Sequence, residues 1–169
     1  MKVSKALKFG FVAMVLAATT LPVAAGESTT FDAINEHYEA IRVALLQDNT
    51  KGVAEHASAI VASVEELQTG FSAHHAGVSQ EGAAACQALL PEISKAAGRV
   101  AQASNISQTR DAFGELSKPM VRYREMVSGE RPVVVYCSMA KKAWLQPEGE
   151  IGNPYYGQSM ARCGDVVSK

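Results

Sequence analysis

Several signatures that would assign an activity at once are missing from this chain. It has no Cys-x-x-Cys-His, which excludes covalent haem attachment, although helical bundles often carry haem. It has no Cys-x-x-Cys redox pair and no glycine-rich phosphate loop. The Glu-x-x-His pairs that line di-iron bundles are absent too. No block of basic residues occurs, so neither nucleic acid nor an anionic membrane surface is an expected partner. There is no internal repeat and no low-complexity tract. The expectation is a non-enzymatic globular domain.

What is present begins with a leader. Lys2, Lys5 and Lys8 form a positive segment, FGFVAMVLAATTL an apolar one, and Val23-Ala24-Ala25 a small-residue cleavage site. Residues 1–25 are therefore read as a secretory signal peptide of bacterial type, with the periplasm as destination. The other reading is an uncleaved anchor helix. The run is short for a bilayer span, and Pro22 interrupts its end. No second apolar run of spanning length follows. Taking the three leader lysines from the 16 basic residues leaves 13 against 17 acidic, a net charge of −4.

Residues 28–129 carry four apolar stripes with steps of three and four. They are Phe31, Ile34, Tyr38, Ile41 and Leu45; then Val53, Ala57, Ile60, Val64 and Leu67. The third runs Cys86, Leu89, Leu90, Ile93, Ala97 and Val100; the fourth runs Phe113, Leu116, Met120, Tyr123 and Val127. Each stripe needs a partner to bury it. DNTKG, GFSAHHAGVSQEG and ASNIS separate them, and short connections favour antiparallel neighbours. The predicted fold is all-α: an up-down-up-down four-helix bundle followed by an irregular clasp over 130–169. Pro91 and Pro119 are expected to kink their helices or mark later starts. In the clasp, PVVVYC reads as an extended strand or arm, GQSMARC as one helical turn, and the rest as loop.

Three cysteines remain after the leader, Cys86, Cys137 and Cys163. Cys86 sits on an apolar stripe and reads as a small buried hydrophobe. The other two each lie beside a methionine, as Cys137-x-Met139 and Met160-x-x-Cys163. On an extended chain residues two apart share a face, and on a turn residues three apart do. If the loop folds back, four sulfurs converge. Thiolate and thioether select Cu(I), or its soft analogue Ag(I), over zinc. The alternative is a Cys137–Cys163 disulfide closing about 25 residues, worth roughly 3–3.5 kcal/mol, with both methionines packed.

His37 and His56 flank the first two stripes, close enough in pattern to meet and supply an imidazole ligand, or to sit hydrogen-bonded at the core edge. His74 and His75 form a pair in a loop, read as solvated. Asn153-Pro154 favours a turn, and Gly157 allows a backbone angle others resist. Trp144, Tyr155 and Tyr156 are expected to dock the fold-back on the bundle, either as a dry shell for a sulfur site or as a plain clasp.

The segments Cys137-Ser138-Met139, Trp144-Leu145, Ile151, Asn153-Pro154-Tyr155-Tyr156-Gly157, Met160 and Cys163-Gly164 resemble the C-terminal signature of a family of exported helical domains of unknown function. Phe113 and Leu116-Ser117 resemble its fourth helix more loosely. Members occur alone or fused to membrane-fusion subunits of copper/silver efflux pumps. Ser138 stands where that signature has proline. The resemblance implies a heavy-metal setting, with an efflux membrane-fusion protein as partner.

Overall fold

The computed structural model describes residues 28–169; the signal-peptide reading of 1–25 lies outside them. Among the described residues the chain forms α1 (Thr30–Leu46), α2 (Val53–Thr69), a single turn α3 (Ala73–Ala76), α4 (Ala83–Ala101) and α5 (Ile106–Met126). Strands β1 (Val133–Cys137), β2 (Lys142–Gln146) and β3 (Asp165–Ser168) follow, with a 3-10 turn at Gly157–Met160.

Local chemistry sets the helix starts. Thr29 caps α1 through a reciprocal box: its side chain accepts from the Asp32 amide, and Asp32 accepts from the Thr29 amide at 2.8 Å. Ser72 and Asn105 cap α3 and α5 in the same sense. All four apolar stripes are buried, with the residues named above at most 8% exposed. α1 packs on α2, α2 on α4 and α4 on α5. Of the two alternatives, a kink or a later start, the second is ruled out: α4 and α5 each run as one helix through Pro91 and Pro119. The long interhelical loop holds α3, with His74 and His75 exposed on it, and Val78 bridges to Val127.

The all-α expectation needs correcting. The tail is a three-stranded antiparallel sheet in the order β2-β1-β3, so the fold is mostly helical with a small sheet. Only β1 carries a β-branched run. β2, Lys-Ala-Trp-Leu-Gln, buries three consecutive residues at one end, and β3 is almost wholly exposed. Neither shows the alternation that marks a strand in sequence. Pairing to β1, with Val135 opposite Trp144 and Val166, makes them strands.

One hydrophobic cluster contains the helical stripes together with Val133, Val134, Val135, Cys137, Trp144, Leu145 and Tyr155. β2 packs on α5. A buried polar hub ties the layers: Tyr38 of α1 and Ser117 of α5 share a hydrogen bond at 2.6 Å, and the Leu145 amide donates to Tyr38 Oη at 3.3 Å. No helix among the described residues is long and apolar enough to cross a membrane.

Candidate metal centre

The site is built where the end of β1 meets the returning chain. The Sγ atoms of Cys137 and Cys163 lie 2.7 Å apart, and both are free thiols, as is Cys86. Cys137 is fully buried and Cys163 half-buried. The hairpin turn after Cys137 wraps its own amides around the sulfur. The Ala140 amide donates to Cys137 Sγ at 3.4 Å, and the Met139 amide reaches both sulfurs. Where proline would stiffen this turn, Ser138 leaves the amide–sulfur bonds to hold it.

These contacts divide the pair electrostatically. Burial works to raise the Cys137 thiol. The hydrogen bond from Cys163, the Ala140 and Met139 amides and Asn153 outweigh it, and the net direction is down. Cys163 goes up, first through its bond to Cys137, then through burial. Of the two, Cys137 is the thiol whose surroundings favour its charged form.

The return chain is held by Asn153, which is fully buried. Its Oδ1 accepts from the Tyr155 amide at 2.8 Å and the Tyr156 amide at 3.3 Å, the Asx turn that Asn-Pro favours. Its Nδ2 donates to the Cys163 carbonyl at 2.7 Å, which fixes Cys163 opposite Cys137. Asn153→Ala strands two amides and that carbonyl. We expect a loss of about 2–3 kcal/mol in urea unfolding and faster alkylation of Cys163. A change under about 0.5 kcal/mol would show that the turn does not depend on this side chain.

The same loop is pinned to the end of α1. Arg110 donates to Pro154 O at 2.9 Å and Leu45 O at 3.0 Å, and pairs with Asp48. The Arg110 guanidinium holds the Asp48 carboxyl below the usual carboxylate range. Gln158 donates its amide to Asp48 Oδ2 at 3.1 Å, and Arg42 donates to Gly152 O at 2.7 Å. Gly157 has φ +54, and a side chain there would collide with Asp48 and Arg110. Gly164, at φ +148, lies beneath the Trp144 ring, and a Cβ would come within 2.7 Å of it. Tyr155 completes the cover: its Oη donates to Ala143 O at 2.6 Å, and its ring meets Trp144 edge-on at 5.8 Å.

The structure brings Cys137 and Cys163 together. Met139 and Met160 sit on the adjoining turns, exposed by 63% and 36%, rather than packed. Met139 does not share a strand face with Cys137, because β1 ends at Cys137 and Met139 lies in the hairpin turn. Met160 closes the 3-10 turn, and its carbonyl accepts from the Cys163 amide at 3.0 Å. Met120 is core, and burial raises the thiol of Cys86, which sits on the buried stripe of α4 against Tyr123. Among the described residues no three His, Cys, Asp or Glu side chains form a metal-ligating group.

The anchors from α1 and α5, Arg42, Asp48 and Arg110, escaped the sequence reading. They act across more than 40 residues, with no local pattern to reveal them.

The family described as Protein of unknown function (DUF3347) matches residues 34–130, and the chain belongs to that family. The match covers the helices and stops before β1, so the sulfur pair lies outside it. No curated protein and no solved structure matches the chain.

Proposed function

We propose that this protein binds a soft monovalent ion, Cu(I) or Ag(I), in the periplasm, through Cys137, Met139, Met160 and Cys163. It would hold the ion or pass it to an efflux membrane-fusion protein. The four long helices, read as an up-down-up-down bundle, serve as the scaffold. The observation that carries this reading is the thiol pair with two methionines left in solvent beside it. Met120 is core and Met126 half-buried, so among the described residues the exposed methionines are those within three residues of a thiol. Exposed thioethers in the turns next to a thiol pair are suited to serve as soft-metal ligands.

The thiol pair must adjust to take such an ion. At metal–sulfur bonds of about 2.3 Å, two thiolates on a tetrahedral centre stand about 3.8 Å apart. The pair therefore opens by about 1 Å, on the half-buried Cys163 side.

The test is an anaerobic Cu(I) titration against a competing chelator. Replacing Cys137 by Ser and Met160 by Leu together is expected to abolish tight binding; unchanged affinity in that double variant overturns the proposal. Met139→Leu and Met160→Leu alone should weaken Cu(I) binding while shifting stability by no more than about 0.5 kcal/mol, because neither side chain belongs to the buried core and leucine is of similar size.

A second reading rests on the 2.7 Å separation itself, which is closer to bonding distance than to a metal-bridged pair. There the cysteines are a disulfide that staples the tail, and the protein is a structural or interaction module.

A further inference from the structure

The geometry points to a second metal site, of different chemistry, between α1 and α2. Nδ1 of His37 and Nδ1 of His56 lie 3.1 Å apart, and both rings are half-buried. We propose that these two nitrogens bind one borderline divalent ion, Zn²⁺ or Cu²⁺, with water completing its shell. The site is independent of the sulfur site in residues and in ion class.

The argument starts from the separation. Two neutral imidazole nitrogens at this distance repel if both present lone pairs, and again if both present N–H. Two arrangements therefore suit the pair: one ring donates its Nδ1–H to the lone pair of the other, or both rings present lone pairs to a metal ion between them. With metal–nitrogen bonds of about 2.0–2.1 Å, a 3.1 Å separation gives an N–metal–N angle of about 95–102°. That lies between the right angle of a tetragonal centre and the tetrahedral angle, so the separation itself suits either geometry. Imidazole suits zinc and Cu²⁺, which stand at the strong end of the divalent series.

The scaffold holds the rings to this arrangement. His56 lies over Gly52, where an added Cβ would touch its Cδ2 at 3.8 Å and its Nε2 at 3.9 Å. The Nδ1 edge of His56 faces His37. The two rings are tilted by 41° with centroids 5.3 Å apart, so they meet by their edges and do not stack. α1 and α2 pack directly on each other, which makes the spacing a property of the helix pair. No third His, Cys, Asp or Glu side chain joins them among the described residues, which limits the site to two protein ligands and open water positions.

The experiment uses tag-free protein with its thiols capped by N-ethylmaleimide, so that the sulfur site cannot contribute. Zinc sulfate is titrated into ¹⁵N-labelled protein, and long-range ¹H–¹⁵N spectra of the four histidines are followed. The expected result is that the Nδ1 resonances of His37 and His56 shift together and saturate at one Zn²⁺ per chain. His56→Gln should weaken binding at least about tenfold, while a His74→Gln/His75→Gln variant binds as before. The proposal is overturned if the Nδ1 signals of His37 and His56 stay put, leaving a hydrogen-bonded pair only. It is equally overturned if coordination appears at Nε2, or if the His74/His75 variant is the one that loses zinc. The spectrum of the unsubstituted protein decides the matter even if His56→Gln folds poorly.

Discussion

Trp144→Ala is expected to remove about 3–5 kcal/mol of unfolding free energy, the range for deleting a large buried aromatic. Trp144 is fully buried in β2. It pairs with Val135 across the sheet, meets the Tyr155 ring, and roofs the backbone at Gly164. Its Nε1 donates to Gln146 Oε1 at 3.0 Å, the same oxygen that accepts from the Gly152 amide at 3.1 Å. Losing the indole thus opens a cavity between β1, β2 and the return loop. With a urea slope of about 1–3 kcal/mol per molar, the midpoint should fall by roughly 2 M, followed by far-UV circular dichroism. Trp144→Phe should restore part of the loss. A drop under about 1 kcal/mol would show that the tail closes around the space, and that the indole is not its keystone. Because Gly164 follows Cys163 directly, the alanine variant should also alkylate faster at Cys163.

Oxidation is the second large effect. Joining Cys137 and Cys163 closes a loop between residues 26 apart, and should raise unfolding free energy by about 3.5 kcal/mol over the reduced protein. A Cys137→Ser/Cys163→Ser variant should behave like the reduced form under either condition. Cys86, buried in α4, should stay a thiol throughout. Alkylation with mass spectrometry follows the thiol count, and urea unfolding follows the energy. Equal midpoints for the two forms would remove the stapling role. The redox state also decides the metal chemistry, since the disulfide leaves no thiolate to hold Cu(I). Copper bound only by the reduced protein, with the thiols then protected from alkylation, is the outcome the metal proposal requires.

The helices were legible because their chemistry is periodic. Phe31, Ile34, Tyr38, Ile41 and Leu45 recur on one face, and that face is the one buried. The sheet was not, because β2 and β3 owe their conformation to β1. Asp165, Val166 and Val167 are exposed and carry no internal pattern. The meeting of Cys137 and Cys163 could be anticipated from a fold-back punctuated by Asn153, Pro154 and Gly157. The placement of Met139 could not, because one residue decides whether a chain is strand or turn. The approach of His37 and His56 was visible as two stripe-flanking positions. The 3.1 Å between their Nδ1 atoms depends on how α1 and α2 are phased, which periodicity leaves open.

The anchoring of the tail on α1 has a temporal side. Arg42 meets Gly152, Asp48 meets Gln158 and Tyr38 meets Leu145 across separations of 107 to 110 residues. A chain made from its N-terminus exposes α1 first and completes it last. Until the final forty residues arrive, Arg42, Asp48 and Tyr38 lack their tail partners and part of the α1 face stays wet. Contacts this distant in sequence close slowly, because the loop entropy is lost before any contact forms. The nascent protein therefore passes through a stage with its helices assembled and its sulfur pair not yet formed. The end that holds Cys137 and Cys163 matures only as synthesis finishes.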